Sequence, residues 1–90
     1  MNDSKEMARL AYDAMDDKLA KDITIIDISG VSVVADYFLI ADGKNRNQVQ
    51  AIANNVDEFL GKAGYHAKAT EGYSTANWIL MDYSDVIIHI

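Results

Sequence analysis

The chain has 90 residues, 50% of them hydrophobic and 24% charged, with a formal net charge of −6 and neither cysteine nor proline. One domain of this size buries only roughly 60 to 65% of the surface its unfolded chain exposes, so a marginal stability is expected. The missing cysteines exclude disulfides, thiolate metal sites and cysteine catalysis, and the acidic balance argues against a protein held to nucleic acid by neutralising phosphates.

No stretch approaches the apolar length that crosses a bilayer, and the start, Met1-Asn2-Asp3-Ser4-Lys5-Glu6, lacks the apolar segment of a secretion signal. A cytoplasmic location is expected, with no membrane partner. Ser4 is placed to cap a first helix in which Met7, Leu10, Ala11, Ala14 and Met15 recur at helical spacing, ending near Lys21. Ile23 to Ile28 is rich in β-branched residues and apolar on both faces, which predicts an interior strand broken by Ser29-Gly30. Val31 to Asp36 fits neither template, whereas Tyr37 to Ala41 reads as a second strand, antiparallel to the first, stopped by Asp42-Gly43.

The clearest helix follows. Asn45 or Asn47 can cap it, Val49, Ile52, Ala53, Val56, Phe59, Leu60 and Ala63 form one apolar stripe, and Gly64 supplies the stop. His66 to Thr70 predicts a weak third strand near an edge, and 71 to 76 a loop. A terminal hairpin then gives strands four and five. The expected fold class is α/β: a single domain over residues 1 to 90 with a mixed five-stranded sheet, helices mainly on one face, and the order α-β-β-α-β-β-β. Strand two, helix two and strand three make a parallel crossover, and the shorter connections are antiparallel.

The hairpin carries the most functional information. With Tyr83 and Ser84 as a two-residue loop, Met81 faces Val86, Leu80 faces Ile87, Ile79 faces Ile88 and Trp78 faces His89. One face is then wholly aliphatic, bearing Ile79, Met81, Val86 and Ile88, as a face packed on a core should be. The other bears Trp78, Leu80, Asp82, Asp85, Ile87 and His89 and is the candidate for gripping another protein, since tryptophan anchors dominate many interfaces. A core role for Trp78 stays open at this level. From Ala69 onward there is no Lys or Arg, while Glu71, Asp82 and Asp85 add negative charge, so a partner of this region is expected to be a basic protein surface.

Catalytic patterns are absent from the sequence. His66 and His89 have no second ligand at metal spacing, the five glycines make no phosphate loop, and no two carboxylates sit one residue apart on a strand as two-metal nucleotidyl transfer requires. No cofactor and no metal are expected.

Asp27-Ile28-Ser29-Gly30-Val31-Ser32, Ala35-Asp36-Tyr37-Phe38-Leu39-Ile40, Gly43, Arg46-Asn47-Gln48-Val49-Gln50-Ala51-Ile52-Ala53, Glu71-Gly72, and Trp78-Ile79-Leu80-Met81-Asp82-Tyr83 with Asp85-Val86-Ile87-Ile88-His89 together resemble the ribosomal silencing factor, or Iojap-related, family. The resemblance runs over nearly the whole chain. It implies a nucleotidyltransferase-like fold without the catalytic acids, and a non-enzymatic protein that binds ribosomal protein L14 of the large subunit, keeps the small subunit from joining and so represses translation. It also places the partner surface on the strand of Trp78, Leu80 and Asp82, and draws in the pairs Asp36-Tyr37 and Glu71-Gly72.

Two departures from the family pattern stand out. Ser84 occupies a hairpin position usually filled by glycine, and relatives usually continue past Ile90 into an acidic helical segment, whose absence is expected to leave strand five open to self-association as a homodimer. A minor ribosomal RNA contact through Lys44 and Arg46 remains open. Two rival readings are a nucleotide-binding, nucleotidyltransferase-like domain using Asp82, Asp85 and His89, and a purely homo-oligomeric interaction module.

Overall fold

The structure, a computed structural model, describes residues 3–90; Met1 and Asn2, the start of the polar N-terminal stretch, lie outside the described residues. Helix α1 spans Ser4–Asp17 and buries Met7, Ala8, Ala11, Ala14 and Met15, the stripe expected from their spacing. Its N-cap is Asp3, not Ser4, because the Ser4 hydroxyl is turned away to donate to the Asp36 carboxylate at 2.8 Å. The helix also stops before Lys21. Leu19 N–H donates to Asp16 O and Ala20 N–H to Met15 O, a Schellman closure that holds Leu19 at φ 61° and releases the chain into strand β1 at Lys21.

The strands are β1 (Lys21–Asp27), β2 (Tyr37–Asp42), β3 (Ala69–Glu71), β4 (Leu80–Asp82) and β5 (Val86–His89), with helix α2 (Arg46–Lys62) between β2 and β3. The element order is the expected one. In the sheet they run β1-β2-β5-β4-β3, with β2 parallel to β5 and the other neighbours antiparallel. It follows from these pairings that β3 runs parallel to β2, as a crossover requires, although two strands separate them.

Two expectations are corrected by this order. Strand β1 is an edge strand and not an interior one: all of its seven residues except Ile23 are exposed. Its apolar residues on both sides arise because one face joins a bare sheet surface while the other only partly reaches α1. Strand β5 lies in the middle between β2 and β4, so it offers no edge for self-association, and the free edges belong to β1 and β3.

Both helices pack on one face of the sheet. Leu39, Ala41, Ile79, Met81, Val86 and Ile88 meet Met7, Ala11 and Met15 of α1 and Ile52, Val56 and Leu60 of α2 in one core. Helix α2 begins at Asn45, whose side chain accepts the Gln48 N–H at 2.9 Å, and ends in a Schellman closure with Gly64 at φ 92°. It also caps its neighbour. The Gln48 amide donates to Lys18 O and Leu19 O, and the buried Asn55 amide donates to Ala14 O and to the Asp17 carboxylate, so carbonyls freed at the end of α1 are satisfied by α2.

The hairpin differs from its expected register by two residues. Leu80 faces His89, Met81 faces Ile88 and Asp82 faces Ile87, and the loop is Ser84-Asp85, closed by Tyr83 N–H on Val86 O. An even slip leaves every strand side chain on its predicted face. Inside the loop Asp85 N–H donates to Tyr83 O at 2.9 Å across Ser84, which is held at φ 70°. Leu19 and Ser84 are thus exposed non-glycine residues in the left-handed region, a conformation that costs an L side chain roughly 1 to 2 kcal/mol. Replacing either with glycine, as Leu19→Gly or Ser84→Gly, is expected to raise stability by about 1 kcal/mol after the extra chain entropy of glycine is deducted, measurable by urea unfolding.

Candidate protein-docking face

The side of the sheet turned away from the helices carries two rows that follow directly from the register. Ile26, Phe38, Ile87, Asp82 and Ala69 lie across the five strands in one row, and Thr24, Ile40, His89, Leu80 and Glu71 in the next. Neither of the described helices covers them. The result is a largely apolar surface bordered on the β3–β4 side by the carboxylates of Glu71 and Asp82, which makes this side of the sheet the candidate docking face.

Trp78 stands at its margin, one step before β4. The indole is 64% exposed, so it belongs to this surface and not to the core. Its ring lies 5.5 Å from that of His89 at 31°, and His89 in turn meets Phe38 edge to face at 5.6 Å and 78°. The three rings form a stiff aromatic ribbon across β4, β5 and β2. His89 Nδ1 is buried without a hydrogen-bond partner, and burial pushes the imidazole pKa down, which keeps the ring neutral and apolar in character at pH 7.

The backbone that presents Trp78 is fixed from two sides. Ile79 and Ile90 exchange both N–H···O bonds, at 3.0 and 2.9 Å, extending the ladder beyond β4. On the other side Gly72, at φ 78°, lets the 72–76 loop close against the tryptophan: a Cβ there would stand 2.1 Å from Trp78 O. The Glu71-Gly72 pair therefore splits into a carboxylate on the face and a glycine that supports it.

The residues singled out in the sequence divide between this face and the scaffold. Leu80, Asp82, Ile87, His89 and Glu71 join Trp78 on the open face, but Asp85 falls in the turn, because the two-residue shift moves it out of the strand. Its carbonyl accepts Asp36 N–H at 2.7 Å and Tyr37 N–H at 3.2 Å. Asp36 also binds Ser4, and Tyr37 turns to the helix side and packs on the core, so this pair knits α1, β2 and the hairpin turn and stands off the open face. Lys44 and Arg46 sit at the start of α2, in the helix layer.

Ile26, Phe38 and Ile40 complete the face and were not selected from the sequence. The signal was available in strands one and two being apolar on both sides; only the strand order was missing. The Asp82 carboxylate accepts Ser84 N–H at 2.8 Å, and the described residues contain no group of three or more His, Cys, Asp or Glu placed to hold a metal ion.

The fold order and motifs of this chain recur in known proteins. The family model described as ribosomal silencing factor during starvation matches residues 1–90. The chain belongs to the ribosomal silencing factor family. It is 43% identical over 86 residues to the ribosomal silencing factor RsfS of Bacillus subtilis, covering 96% of this chain and 73% of that one. It is 39% identical to the Halalkalibacterium halodurans protein of the same name, covering 97% and 74%, and 28% identical to the chloroplastic protein Iojap of Arabidopsis thaliana, covering 94% and 34%. A crystal structure of protein CV0518 from Chromobacterium violaceum superposes with a TM-score of 0.93 at 34% identity, covering 99% of this chain and 73% of that one. These silencing factors carry the name of a regulator and not of an enzyme. None of the described helices is long and apolar enough to cross a membrane.

Two measurements probe how this face is held. Gly72→Ala is expected to lower stability by at least about 2 kcal/mol, the sum of a left-handed alanine and displacement of the Trp78 backbone, read by thermal or urea unfolding. For His89 the folded pKa is below the unfolded value near 6.5, so the unfolded chain takes up the proton more readily and stability falls as pH drops below about 6.5. His89→Phe is expected to flatten the fall in melting temperature between about pH 7 and 5 relative to the unsubstituted protein, with carboxylate contributions common to both.

Proposed function

We propose that this chain silences ribosomes by laying its open sheet face on ribosomal protein L14 of the large subunit, where its bulk keeps the small subunit from joining. Family membership supplies the ribosome as the setting, and the exposed Trp78 with its apolar rows supplies the means of attachment. The mechanism is steric and needs no bond to be made or broken, so the chain works without catalytic residues or cofactor. A cytoplasmic site of action accompanies this reading.

The division of labour on the face follows from its composition. Phe38, Ile40, Leu80 and Ile87 provide area whose removal from water drives association, and Trp78 provides a large anchor already ordered by His89. Glu71 and Asp82 meet cationic groups at the rim, where charge governs the encounter rate and its sensitivity to salt more than the final affinity. A basic ribosomal protein surface is the complement of that arrangement.

The experiment is sedimentation of purified subunits through sucrose with and without the protein. Separated subunits should accumulate with the unsubstituted chain and reassociate with Trp78→Ala. Direct binding of the Trp78→Ala protein to L14 is expected to weaken by about 2 kcal/mol, roughly 30-fold in Kd, while its melting temperature holds. Undiminished binding by a folded Trp78→Ala protein would refute the assignment of the face.

A further inference from the structure

We propose that the cleft between α1 and β1 binds a small amphipathic carboxylate, whose apolar body lies over Ile25 and beside Tyr12 and whose charged end meets Lys5 and Arg9. The cleft measures about 700 Å³ and is lined by Lys5, Glu6, Ala8, Arg9, Tyr12 and Ile25. Its size is that of a small-molecule site, and such sites combine an apolar lining with a few convergent polar groups. It exists because α1 is the outer helix of its layer while the edge strand β1 extends past it, so Ile25 stays 42% exposed. Ile25 points to the helix side, whereas Thr24 and Ile26 point to the open side. A ligand in the cleft therefore leaves the docking face free.

One wall comes from a single stripe of α1. Lys5, Arg9 and Tyr12 follow one another at i, i+4 and i+7, which lines them up over about 10 Å of the helix. Ala8 and Ile25 supply apolar surface between the helix and the strand, and the 40% exposed ring of Tyr12 adds an aromatic side. An apolar body laid there removes all three from water.

The charges of the lining decide the sign of the ligand. Carboxylates near the cleft are engaged by other donors: Glu6 accepts the Tyr65 hydroxyl at 2.5 Å, and Asp27 accepts the Ser29 hydroxyl and N–H at 2.6 and 2.9 Å. Those Ser29 bonds hold the Asp27 carboxyl below its usual range, with Lys5 only the last contributor. The ion pair among the described residues joins Lys62 to Glu58, so Lys5 and Arg9 reach the cleft without a bonded carboxylate. In a chain of net charge −6 this is a local excess of positive charge. Lys5 and Arg9 stand against Glu6 alone in the lining, and an excess of one charge suits a monoanion better than a phosphate dianion. The planar fork of the Arg9 guanidinium matches the two oxygens of a carboxylate.

The test is a titration of the full chain with naphthoate, followed through residue-resolved amide chemical shifts, beside the same titration with the neutral naphthyl alcohol. We expect saturable shifts at Arg9, Tyr12 and Ile25 with a Kd at or below about 1 mM, and binding of the alcohol at least about tenfold weaker. Arg9→Gln, a change at an exposed residue, should fold normally and weaken naphthoate by a similar factor without altering the alcohol, while Trp78→Ala should bind naphthoate as the unsubstituted chain does. Naphthoate that fails to saturate, an alcohol that binds as tightly as the acid, or shifts centred on Phe38, Leu80 and His89 would overturn the proposal. Undiminished binding by a folded Arg9→Gln protein would do the same. The comparison of acid with alcohol needs no variant, so it decides the matter even where the substitution misfolds.

Discussion

Two helices can cover only one face of a five-stranded sheet, and the rest of this protein follows from that shortage. Small residues on α1, Ala8, Ala11 and Ala14, let the helix lie close to the strands, so the covered face closes into a core that includes fully buried Leu39, Ile52, Leu60, Ile79 and Ile88. None of the described elements covers the opposite face. In a protein with no further role that side would be polar, as in most one-sided antiparallel sheets. Here it carries isoleucine, phenylalanine, leucine and tryptophan, so the sequence places apolar side chains where folding alone has no use for them.

An uncovered apolar surface is a hazard, and several features contain it. The net charge of −6 keeps copies apart at a distance, and the carboxylates of Glu71 and Asp82 interrupt the surface where β3 and β4 border it. The central position is taken by histidine and not by another aliphatic. Packed between Phe38 and Trp78 with Nδ1 out of water, His89 behaves as an aromatic filler at neutral pH, while its unpaired nitrogen costs stability that an apolar residue would not. Trp78 is thereby ordered in the free chain. On the proposed docking, that order reduces the side-chain entropy lost.

Most of the architecture was legible in the sequence because it rests on local rules. Helical spacing located both helices, and Gly64 and Asn45 act at the ends where their chemistry suits them. Strand parity proved more robust than strand register: an error of two residues in the hairpin left Trp78, Leu80, Asp82, Ile87 and His89 on the right face and misplaced only Asp85. The larger failures depended on strand order. Apolar residues on both sides of Ile23 to Ile28 signify burial on two faces in an ordinary sheet, but in this one they signify a bare face and an unfilled edge. The same missing order hid Ile26, Phe38 and Ile40. Asp36 and Tyr37 illustrate a different limit, because resemblance can mark a residue without saying whether it binds a partner or holds the scaffold.

The scaffold role of that pair bears on how the face keeps its shape. Both N–H groups converge on the carbonyl of Asp85, the carboxylate of Asp36 holds Ser4 at the start of α1, and the Tyr37 ring closes the core beneath β5. One junction thus ties the first helix, the central parallel strand pair and the hairpin turn. Gly72 performs the matching task at the far end of β4, where its lack of a side chain lets the loop press on the Trp78 carbonyl. The strand that bears the anchor is therefore pinned at both ends by backbone contacts that involve none of the side chains on the open face. Asp82 is the exception, because its carboxylate accepts the Ser84 N–H in the turn; on the proposed function the other open-face side chains can be selected for what they touch outside the molecule, since most positions that hold the sheet lie underneath it or beyond its ends.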